Sequence, residues 1–237
     1  MKLGWPERSG GQPSALLVAE ELTKTFGSTP ALAGASMSVA AGEIVAVMGP
    51  SGSGKSTLLH CLAGIVRPDS GVVRYRDQEL SAMSDARRSA LRRGEFGFVF
   101  QFGQLVPELT CVENVALPLR LDGVRRREAQ RRAAEWLARL EIDHVAGKRP
   151  GEVSGGEGQR VAVARALVTG ARVVFADEPT GALDSLNGER VMKLFTAAAR
   201  DSGAAVVLVT HEPRVAAYSD REVVVRDGKA LDLARAA

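Results

Sequence analysis

Cysteine is scarce in this sequence, and its placement excludes two kinds of structure. The chain has two cysteines, Cys61 and Cys111, which lie far apart and do not form a C-x-x-C pair. This spacing argues against a disulfide scaffold and against a zinc site, and it is typical of proteins from a reducing compartment. We interpret both residues as small hydrophobic side chains of the core.

Long apolar runs are also absent. No stretch approaches the roughly 18–20 apolar residues that are needed to span a bilayer. Residues 1–14 contain glycine, proline and charges but no apolar segment of the signal-peptide type, and they are predicted to form a flexible leader. We therefore expect a cytoplasmic protein that reaches the inner face of a membrane only through a partner.

The remaining composition is that of an ordinary globular protein. The 237 residues are 45% hydrophobic and 25% charged, which favours one compact domain with a sub-domain over two independent domains. The formal net charge is +3, and the basic residues are spread along the chain. Because no basic patch stands out, no nucleic acid partner is predicted.

The hydrophobic pattern alternates between strands and helices. Residues 43–48 are almost continuously apolar, as in a parallel strand that is covered on both faces. Strands alternating with helices predict an α/β fold with a mainly parallel sheet. The other predicted strands are residues 16–19, 35–39, 72–75, 96–100, 172–176, 205–210, 222–226 and 229–231.

The chain between residues 105 and 167 has a mainly helical pattern. An amphipathic stripe runs along one helix, and charged pairs at i,i+4 spacing occupy its other face. The stripe consists of Ala129, Ala133, Trp136, Leu137 and Leu140, and the predicted pairs are Glu128 with Arg132 and Glu135 with Arg139.

A glycine-rich segment matches the phosphate-binding pattern GxxxxGK[ST]. It follows the buried strand that ends at Met48 and precedes an apolar helix over residues 57–62, which is the context that the pattern requires. Glycines let backbone N–H groups surround phosphate oxygens, and a helix start adds a positive dipole end. Lys55 would contact the β- and γ-phosphates, and Ser56 would bind Mg²⁺. The predicted nucleotide-binding residues here are Gly49, Pro50, Ser51, Gly52, Ser53, Gly54, Lys55, Ser56 and Thr57.

Two carboxylates stand at the end of another apolar strand. Asp177 and Glu178 follow residues 173–176, and ligands in open α/β sheets bind at the carboxyl ends of the strands. Asp177 is therefore predicted to hold Mg²⁺, and Glu178 to orient or deprotonate an attacking water. In isolation the same residues would read as a solvated acidic turn.

A second helix start resembles the signature of ABC ATPases. Residues 154–160 read SGGEGQR and are followed by VAVARAL. A plain serine N-cap is the alternative interpretation of this segment. The resemblance implies a P-loop NTPase (RecA-like) core with a small antiparallel β sub-domain and an inserted helical sub-domain. It also implies a head-to-tail homodimer, in which the signature of one chain caps the γ-phosphate of ATP held by the other. The residues implied are Ser154, Gly155, Gly156 and Glu157.

Four further positions match the family. Phe26 resembles the aromatic residue that stacks on adenine, although a core phenylalanine would read the same way. Gln101 resembles the glutamine that reaches Mg²⁺ and the attacking water, with a surface glutamine as the alternative. Asp184 resembles the residue of the loop that crosses the dimer interface. His211 resembles the histidine that contacts the γ-phosphate.

The resemblance covers residues 16–232 in the family's order, with two small departures. Val153 stands where leucine is usual, and Gly158 stands where a longer polar residue is usual. Neither change removes a catalytic group, so an active ATPase is expected. We expect a catalytic core over residues 15–105 and 168–237, and a helical sub-domain over about 106–167.

The segments around Gln101 and His211 are similar to the MacB/LolD/FtsE group, whose members pair with FtsX-like membrane subunits. This resemblance implies export or extraction, with mechanical signalling without transport as the alternative. A soluble ABC protein that acts on DNA or ribosomes is disfavoured, since the chain has one set of ATPase motifs and no coiled-coil or zinc insertion. A P-loop kinase or GTPase is also disfavoured, because neither class of protein explains the segment 154–160.

Two other features have open interpretations. Residues 117–119 read LPL, which fits core packing or, in the family, the border of the groove for the membrane subunit. The basic stretch Arg125, Arg126, Arg127, Arg131 and Arg132 fits a solvated helix face, or a contact with anionic lipids or the partner.

Overall fold

The computed structural model describes residues 15–101 and 104–232. The predicted leader, residues 1–14, lies outside this part of the chain. Among the described residues no helix has the length and the apolar character that crossing a membrane requires.

A six-stranded sheet forms the centre of the molecule, in the order β10-β9-β3-β8-β7-β6. The neighbours from β9 to β6 are all parallel, and only the edge strand β10 runs antiparallel. The predicted mainly parallel α/β sheet is therefore confirmed. The strands are β3 (Ile44–Met48), β6 (Phe96–Phe100), β7 (Val173–Asp177), β8 (Ala205–Val209), β9 (Arg221–Arg226) and β10 (Lys229–Asp232).

The central strands are apolar on both faces because each face has its own core. On β8, Val206 and Leu208 pack into one hydrophobic cluster, whereas Ala205, Val207 and Val209 pack into the other. The same alternation holds for β7. This two-sided burial explains why these segments lack the polar positions of a half-exposed strand.

A second, antiparallel sheet packs beside the first, in the order β2-β1-β4-β5. The turn between β9 and β10 joins the two sheets, since the N–H of Ala33 donates to the carbonyl of Gly228 at 2.8 Å. The strands β1 and β2 are longer than the sequence predicted, because one continuous hairpin replaces two short strands. The strands are β1 (Ala15–Phe26), β2 (Thr29–Ala40), β4 (Ser70–Tyr75) and β5 (Gln78–Glu79).

Most helices cover the central sheet or form a group inserted between β6 and β7. The inserted group holds α3, α4 and α5, and the buried side chains of the predicted stripe pack into the core there. The division into a core and a helical sub-domain stays a proposal. The helices are α1 (Lys55–Leu62), α2 (Asp85–Gly94), α3 (Cys111–Leu121), α4 (Arg126–Arg139), α5 (Gly155–Leu167), α6 (Ser185–Ser202) and α7 (Pro213–Ala216), with short 3₁₀ turns at Asp143–Val145 and Pro150–Glu152.

Two local predictions were wrong. The helix α1 begins at Lys55 rather than at residue 57, because Gly54 already takes the N-cap position. The charged pairs on α4 also differ, since Arg131 binds Glu128 at 2.7 Å and Glu135 at 2.5 Å. The Arg139 guanidinium instead lies 5.0 Å from the ring centroid of Trp136. Spacing along a helix allowed both sets of pairs, and the side-chain rotamers decided between them.

Candidate active site

The strand register brings separate parts of the sequence to one edge of the central sheet. Phe100 pairs with Asp177, Asp177 with Val209, and Val209 with Val47, so the four strands end in one row. The chain leaves this row into loops that hold most of the predicted site residues. Those residues are Gly49 to Thr57, Gln101, Glu178 and His211.

The loop between β3 and α1 requires glycine at two positions. Gly54 has φ +103°, and a Cβ there would lie 2.2 Å from the carbonyl oxygen of Ala31. Gly49 has φ +146°, and a Cβ there would lie 2.2 Å from the carbonyl oxygen of Val225. The loop is therefore packed against the backbones of β2 and β9, and a side chain at either glycine would displace it.

Lys55 is held at this loop by the loop's own backbone. Its Nζ donates to the carbonyl oxygens of Gly49 and Pro50, both at 2.8 Å, and the residue is buried. The first turn of α1 carries backbone N–H groups with no partner inside the helix. A buried ammonium beside the positive end of a helix makes this position attractive to an anion.

A cleft of about 610 Å³ opens above the row of strand ends. Two predicted residues of the loop do not line the cleft, because Gly49 packs against the backbone of Val225 and Ser53 is buried. The Ser53 hydroxyl has no hydrogen-bond partner among the described residues. The predicted residues that line the cleft are Pro50, Ser51, Gly52, Gly54, Lys55, Ser56, Thr57, Gln101, Asp177, Glu178 and His211.

Asp177 and Ser56 place two oxygen groups side by side in the cleft. Burial raises the pKa of Asp177, and the hydrogen bond with Ser56 offsets part of this rise. A hydroxyl beside a partly buried carboxylate matches the oxygen ligands that Mg²⁺ takes in phosphate sites. The described residues contain no cluster of three or more histidine, cysteine or acidic side chains fit to hold a metal. Phosphate and water oxygens would supply further ligands of a Mg²⁺ ion here.

Glu178 adopts an unusual backbone conformation. Its φ is +47°, in the left-handed region, and its N–H donates to the carbonyl of Val209 at 2.9 Å. One carboxylate oxygen lies 2.6 Å from Nδ1 of His211, and the other accepts a hydrogen bond from the Thr210 hydroxyl at 3.3 Å. The hydrogen bond to Glu178 raises the pKa of His211, and the charge of that carboxylate adds to the effect. Glu178 thus combines a strained backbone with a carboxylate that two neighbouring side chains hold in place.

Gln101 connects the cleft to a smaller neighbouring pocket. It lines the cleft, and it also lines a pocket of about 300 Å³ that Ser154 and Gly155 share. A Cβ on Gly181 would lie 2.9 Å from the Gln101 amide nitrogen, which shows how closely the loop after β7 approaches this side chain. Gln101 therefore lies between the two predicted anion sites.

The signature segment lies apart from the cleft within one chain. Ser154 caps α5 by accepting a hydrogen bond from the N–H of Glu157 at 3.3 Å, and its own hydroxyl donates to the Glu157 carboxylate at 2.7 Å. The hydroxyl and the N–H of Ser154 both donate to the Glu157 carboxylate, and together with a hydrogen bond to His144 they lower the pKa of Glu157 to about 2. Gly156 packs against Asn187 at the start of α6. The single chain thus shows the serine N-cap, and none of the four residues from Ser154 to Glu157 lines the cleft.

Asp184 and Phe26 also lie outside the lining of the cleft. Asp184 is exposed and caps α6, with its carboxylate accepting a hydrogen bond from the N–H of Asn187 at 2.9 Å. Phe26 ends β1 and is 52% exposed, with the Lys24 Nζ 5.6 Å from its ring centroid. The exposed ring lies at the β1–β2 hairpin, and Ala31 of the same hairpin lines the cleft. The exposed part of the ring is available to stack on a planar group.

The sequence reasoning missed two polar residues beside the site. Thr210 is almost fully buried, and it both donates to Glu178 and accepts from the N–H of Glu212 at 3.1 Å. Gln159 is buried in α5 and donates to the carbonyl of Phe100 at 2.8 Å. The position of Thr210 at a strand end, next to His211, was a usable signal. By contrast, no local sequence pattern predicted the hydrogen bond between Gln159 and Phe100.

Comparisons of this chain with known proteins agree on one family. The family model described as ABC transporter matches residues 32–181. The lipoprotein-releasing system ATP-binding protein LolD of Cytophaga hutchinsonii is 46% identical over 213 residues, which cover 90% of this chain and 97% of that protein. The lipoprotein-releasing system ATP-binding protein LolD 2 of Caulobacter vibrioides is 44% identical over 222 residues, which cover 93% of this chain and 97% of that protein.

Solved structures show the same fold. The dimeric structure of MJ0796, a bacterial ABC transporter cassette, has a TM-score of 0.83 at 38% identity, covering 90% of this chain and 96% of that one. A dimeric post-hydrolysis state of the ATP-binding cassette MJ0796, bound to ADP and phosphate, has a TM-score of 0.82 at 37% identity, with the same coverage of both chains.

Proposed function

The chain belongs to the ABC transporter family as an ATP-hydrolysing subunit, and from this premise we propose that it drives export or extraction of lipoproteins from a membrane. Its partner would be an FtsX-like membrane subunit, and the chain would lie at the cytoplasmic face of that membrane. The support for this finer function is the similarity to LolD proteins over nearly the whole chain. Mechanical signalling by the same complex remains an outcome of the test described below.

The cleft is proposed to bind the phosphates of ATP. The support is the combination of a glycine-dependent loop, the start of α1 and the buried ammonium of Lys55 in one place. The hydrogen bonds from Lys55 to Gly49 and Pro50 would be exchanged for stronger ones to phosphate oxygens. Phe26 would stack on adenine from the neighbouring hairpin.

Mg²⁺ is proposed to bind at Ser56, Asp177 and Gln101. Ser56 and Asp177 fit the ion because their oxygens are adjacent, and because a cation would favour the ionised form of a carboxylate that burial disfavours. When bound, the ion neutralises charge that develops on the phosphate oxygens. Gln101 would complete the site from its position between the cleft and the neighbouring pocket.

Glu178 and His211 are proposed to act on the attacking water. Glu178 would accept a proton from that water or orient it, since its carboxylate is fixed at the cleft by Thr210 and His211. Because Nδ1 of His211 faces Glu178, Nε2 is the ring nitrogen left to donate to the γ-phosphate. The imidazole would therefore position the base and bind the substrate with its two nitrogens.

A second copy of the chain is proposed to complete each site. Ser154, Gly155, Gly156 and Glu157 start a helix and do not line the chain's own cleft, so they would serve the ATP bound to the partner. Asp184, exposed at the start of α6, would lie at the same interface. The dimeric state of the similar MJ0796 cassettes supports this arrangement.

A groove beside α3 is proposed to receive the membrane subunit. It has a volume of about 470 Å³, and the predicted segment lies here, with Leu117 and Pro118 in the lining and Leu119 buried. Leu121 is 65% exposed and Ile65 is 44% exposed in this groove, which is unusual for large apolar side chains. Arg92, Arg93 and Arg165 form its basic part. This chemistry fits an amphipathic helix with an acidic end.

The test of the proposal is purification of the chain from its native membrane in a gentle detergent, followed by identification of the proteins that accompany it. A multi-pass subunit with a large extracytoplasmic domain would support the proposal. A complex that moves no lipoprotein out of vesicles would favour mechanical signalling. Recovery of ribosomal or DNA-bound partners alone would overturn the transport proposal.

The groove can be tested in the same preparation. We expect Leu121→Asp to reduce recovery of the membrane subunit by about tenfold or more, because a charge would replace an exposed apolar contact. Ala134→Asp is the matched control, since Ala134 is exposed on α4 and does not line the groove. Equal recovery with both variants would place the docking surface elsewhere.

A further inference from the structure

One buried side chain of α5 is attached to the residue that precedes Gln101. Gln159 is 3% exposed, and its Nε2 donates to the carbonyl oxygen of Phe100 at 2.8 Å. Phe100 is the last residue of β6 and pairs with Asp177 in the central sheet. The hydrogen bond therefore joins the inserted helices to the strand end from which Gln101 projects.

The same helix is attached on the other side of Gln101. Nη1 of Arg165 donates to the carbonyl oxygen of Gln104 at 2.8 Å. Gln104 has φ +45°, so its backbone is held in a region that a glutamine rarely adopts. The helix α5 thus fixes a backbone carbonyl before Gln101 and another one after it.

The Gln159 bond is costly to lose. A buried amide that loses its acceptor retains its desolvation penalty, and the Phe100 carbonyl would lose its donor as well. Gln159 and Gln101 also line the same small pocket as Ser154, which caps the first turn of α5. A displacement of this helix relative to the central sheet would accordingly reach Gln101 through Phe100.

We infer that Gln159 is a positioning residue for hydrolysis, which fixes the place of Gln101 through the Phe100 carbonyl. The inference rests on the role that the proposed function gives to Gln101. Gln159 does not line the nucleotide cleft, so it acts on the rate of hydrolysis and leaves the binding of ATP unchanged. This separates it from the residues of the phosphate-binding loop.

The test is the steady-state ATPase activity of Gln159→Met, which keeps an unbranched side chain of similar length but removes the donor. We expect kcat to fall by about tenfold, with KM for ATP within about twofold of the wild type. Gln130→Met is the control, since Gln130 lies on α4 outside both the cleft and the small pocket. An unchanged kcat, or an equal fall in both variants, overturns the inference.

A double-variant cycle separates positioning from a general loss of stability. If Gln159 acts through Gln101, adding Gln159→Met to Gln101→Ala lowers kcat no further than Gln101→Ala alone. Independent, multiplying losses would overturn the inference. A wild-type chain without any ATPase activity would instead overturn the proposed function, so the two failures are distinguishable.

Gln159→Glu gives a second measurement that does not depend on the folding of the methionine variant. A buried glutamic acid donates to the Phe100 carbonyl only when it is protonated. We expect the kcat of this variant, divided by that of the wild type, to rise as the pH falls. A ratio that does not change between pH 8 and pH 6 would contradict the assignment.

Discussion

At the scale of single residues, the site depends on how Glu178 leaves β7. The residue occupies the left-handed region, and its carboxylate contacts Thr210 and His211. Such strain is retained where neighbouring contacts hold it, as the hydrogen bond from the Glu178 N–H to the Val209 carbonyl does here. The side-chain contacts of Glu178 therefore lead to two predictions.

The first concerns the base itself. Glu178→Gln keeps the shape of the side chain but cannot accept a proton, so we expect kcat for ATP to fall by at least about 100-fold. Binding of ATP should remain, and ATP should trap a closed dimer that sedimentation detects. Turnover near that of the wild type would exclude Glu178 as the base.

The second concerns the titration of His211. Since the Glu178 carboxylate raises its pKa, NMR titration of the free chain should give His211 a pKa above the ordinary histidine value. Glu178→Gln should bring it back towards that value. The raised pKa also determines how the stability of the fold depends on pH. The pair contributes its full stabilisation below the unfolded-state pKa of histidine, and this stabilisation is lost as the pH rises through the raised pKa of His211. A His211 pKa that the substitution leaves unchanged would contradict the contact.

At the scale of elements, the proposed function depends on the starts of two helices. The helix α1 begins after Gly54, whose left-handed backbone and close approach to Ala31 no other residue reproduces. The helix α5 begins with a full capping box, in which Ser154 and Glu157 bind each other's backbone. The first start is specialised for close backbone contact, and the second for helix stability.

Substitution of Gly54 should damage both the fold and the site. We expect Gly54→Ala to lower the free energy of unfolding by at least about 2 kcal/mol, because it adds left-handed strain and a contact with the Ala31 carbonyl. Binding of ATP should weaken in parallel. Denaturant unfolding and a fluorescent nucleotide measure the two effects, and a variant as stable as the wild type would show that the loop tolerates a side chain.

Gly158 is the contrasting glycine within α5. Its φ is not positive, and a Cβ there would lie 3.9 Å from a methyl group of Val153, an ordinary contact. Gly158→Ala should therefore raise the free energy of unfolding by about 0.5–1 kcal/mol through helix propensity. Denaturant unfolding measures this change, and a loss of stability would mean that the helix start has a conformational requirement beyond its cap.

At the scale of the whole molecule, the phosphate-binding loop at residues 49–57, which we call the cradle, and the signature at residues 154–157 lie in different places of one chain. The cleft is lined by the loops of the central sheet, whereas Ser154 and Gly155 open into a separate pocket. Among the described residues, only Gln101 lines both. Under the proposed function a single chain holds two half-sites, and a dimer would bring the cradle of one chain against the signature of the other.

Mixing two inactive variants should restore activity. Lys55→Ala damages the cradle and Ser154→Arg damages the signature, so each homodimer lacks every complete site. A mixed dimer has one intact cradle facing one intact signature, and an equal mixture should reach up to about a quarter of the wild-type ATPase rate. A rate no higher than the sum of the separate variants would exclude sites that are shared between chains.

The sequence by itself determined the fold class and the glycine-dependent loop between β3 and α1. The almost continuously apolar run at residues 43–48 indicated a strand covered on both faces, and the structure has β3 between two cores. Glycines with positive φ at Gly49 and Gly54 are local requirements that a sequence pattern records directly. These features depend on neighbours along the chain, and they were therefore open to prediction. The roles of the site residues stay predictions.

The tertiary structure decided which distant groups meet. It chose Arg131 over Arg132 as the partner of Glu128, bound His211 to Glu178, and joined Gln159 to a carbonyl 59 residues away. Each outcome depends on side-chain rotamers and on strand register, which bring together parts of the chain that no local pattern relates. For the same reason the structure, and not the motif, showed that Ser154 forms its hydrogen bonds within the first turn of α5 and does not line the nucleotide cleft.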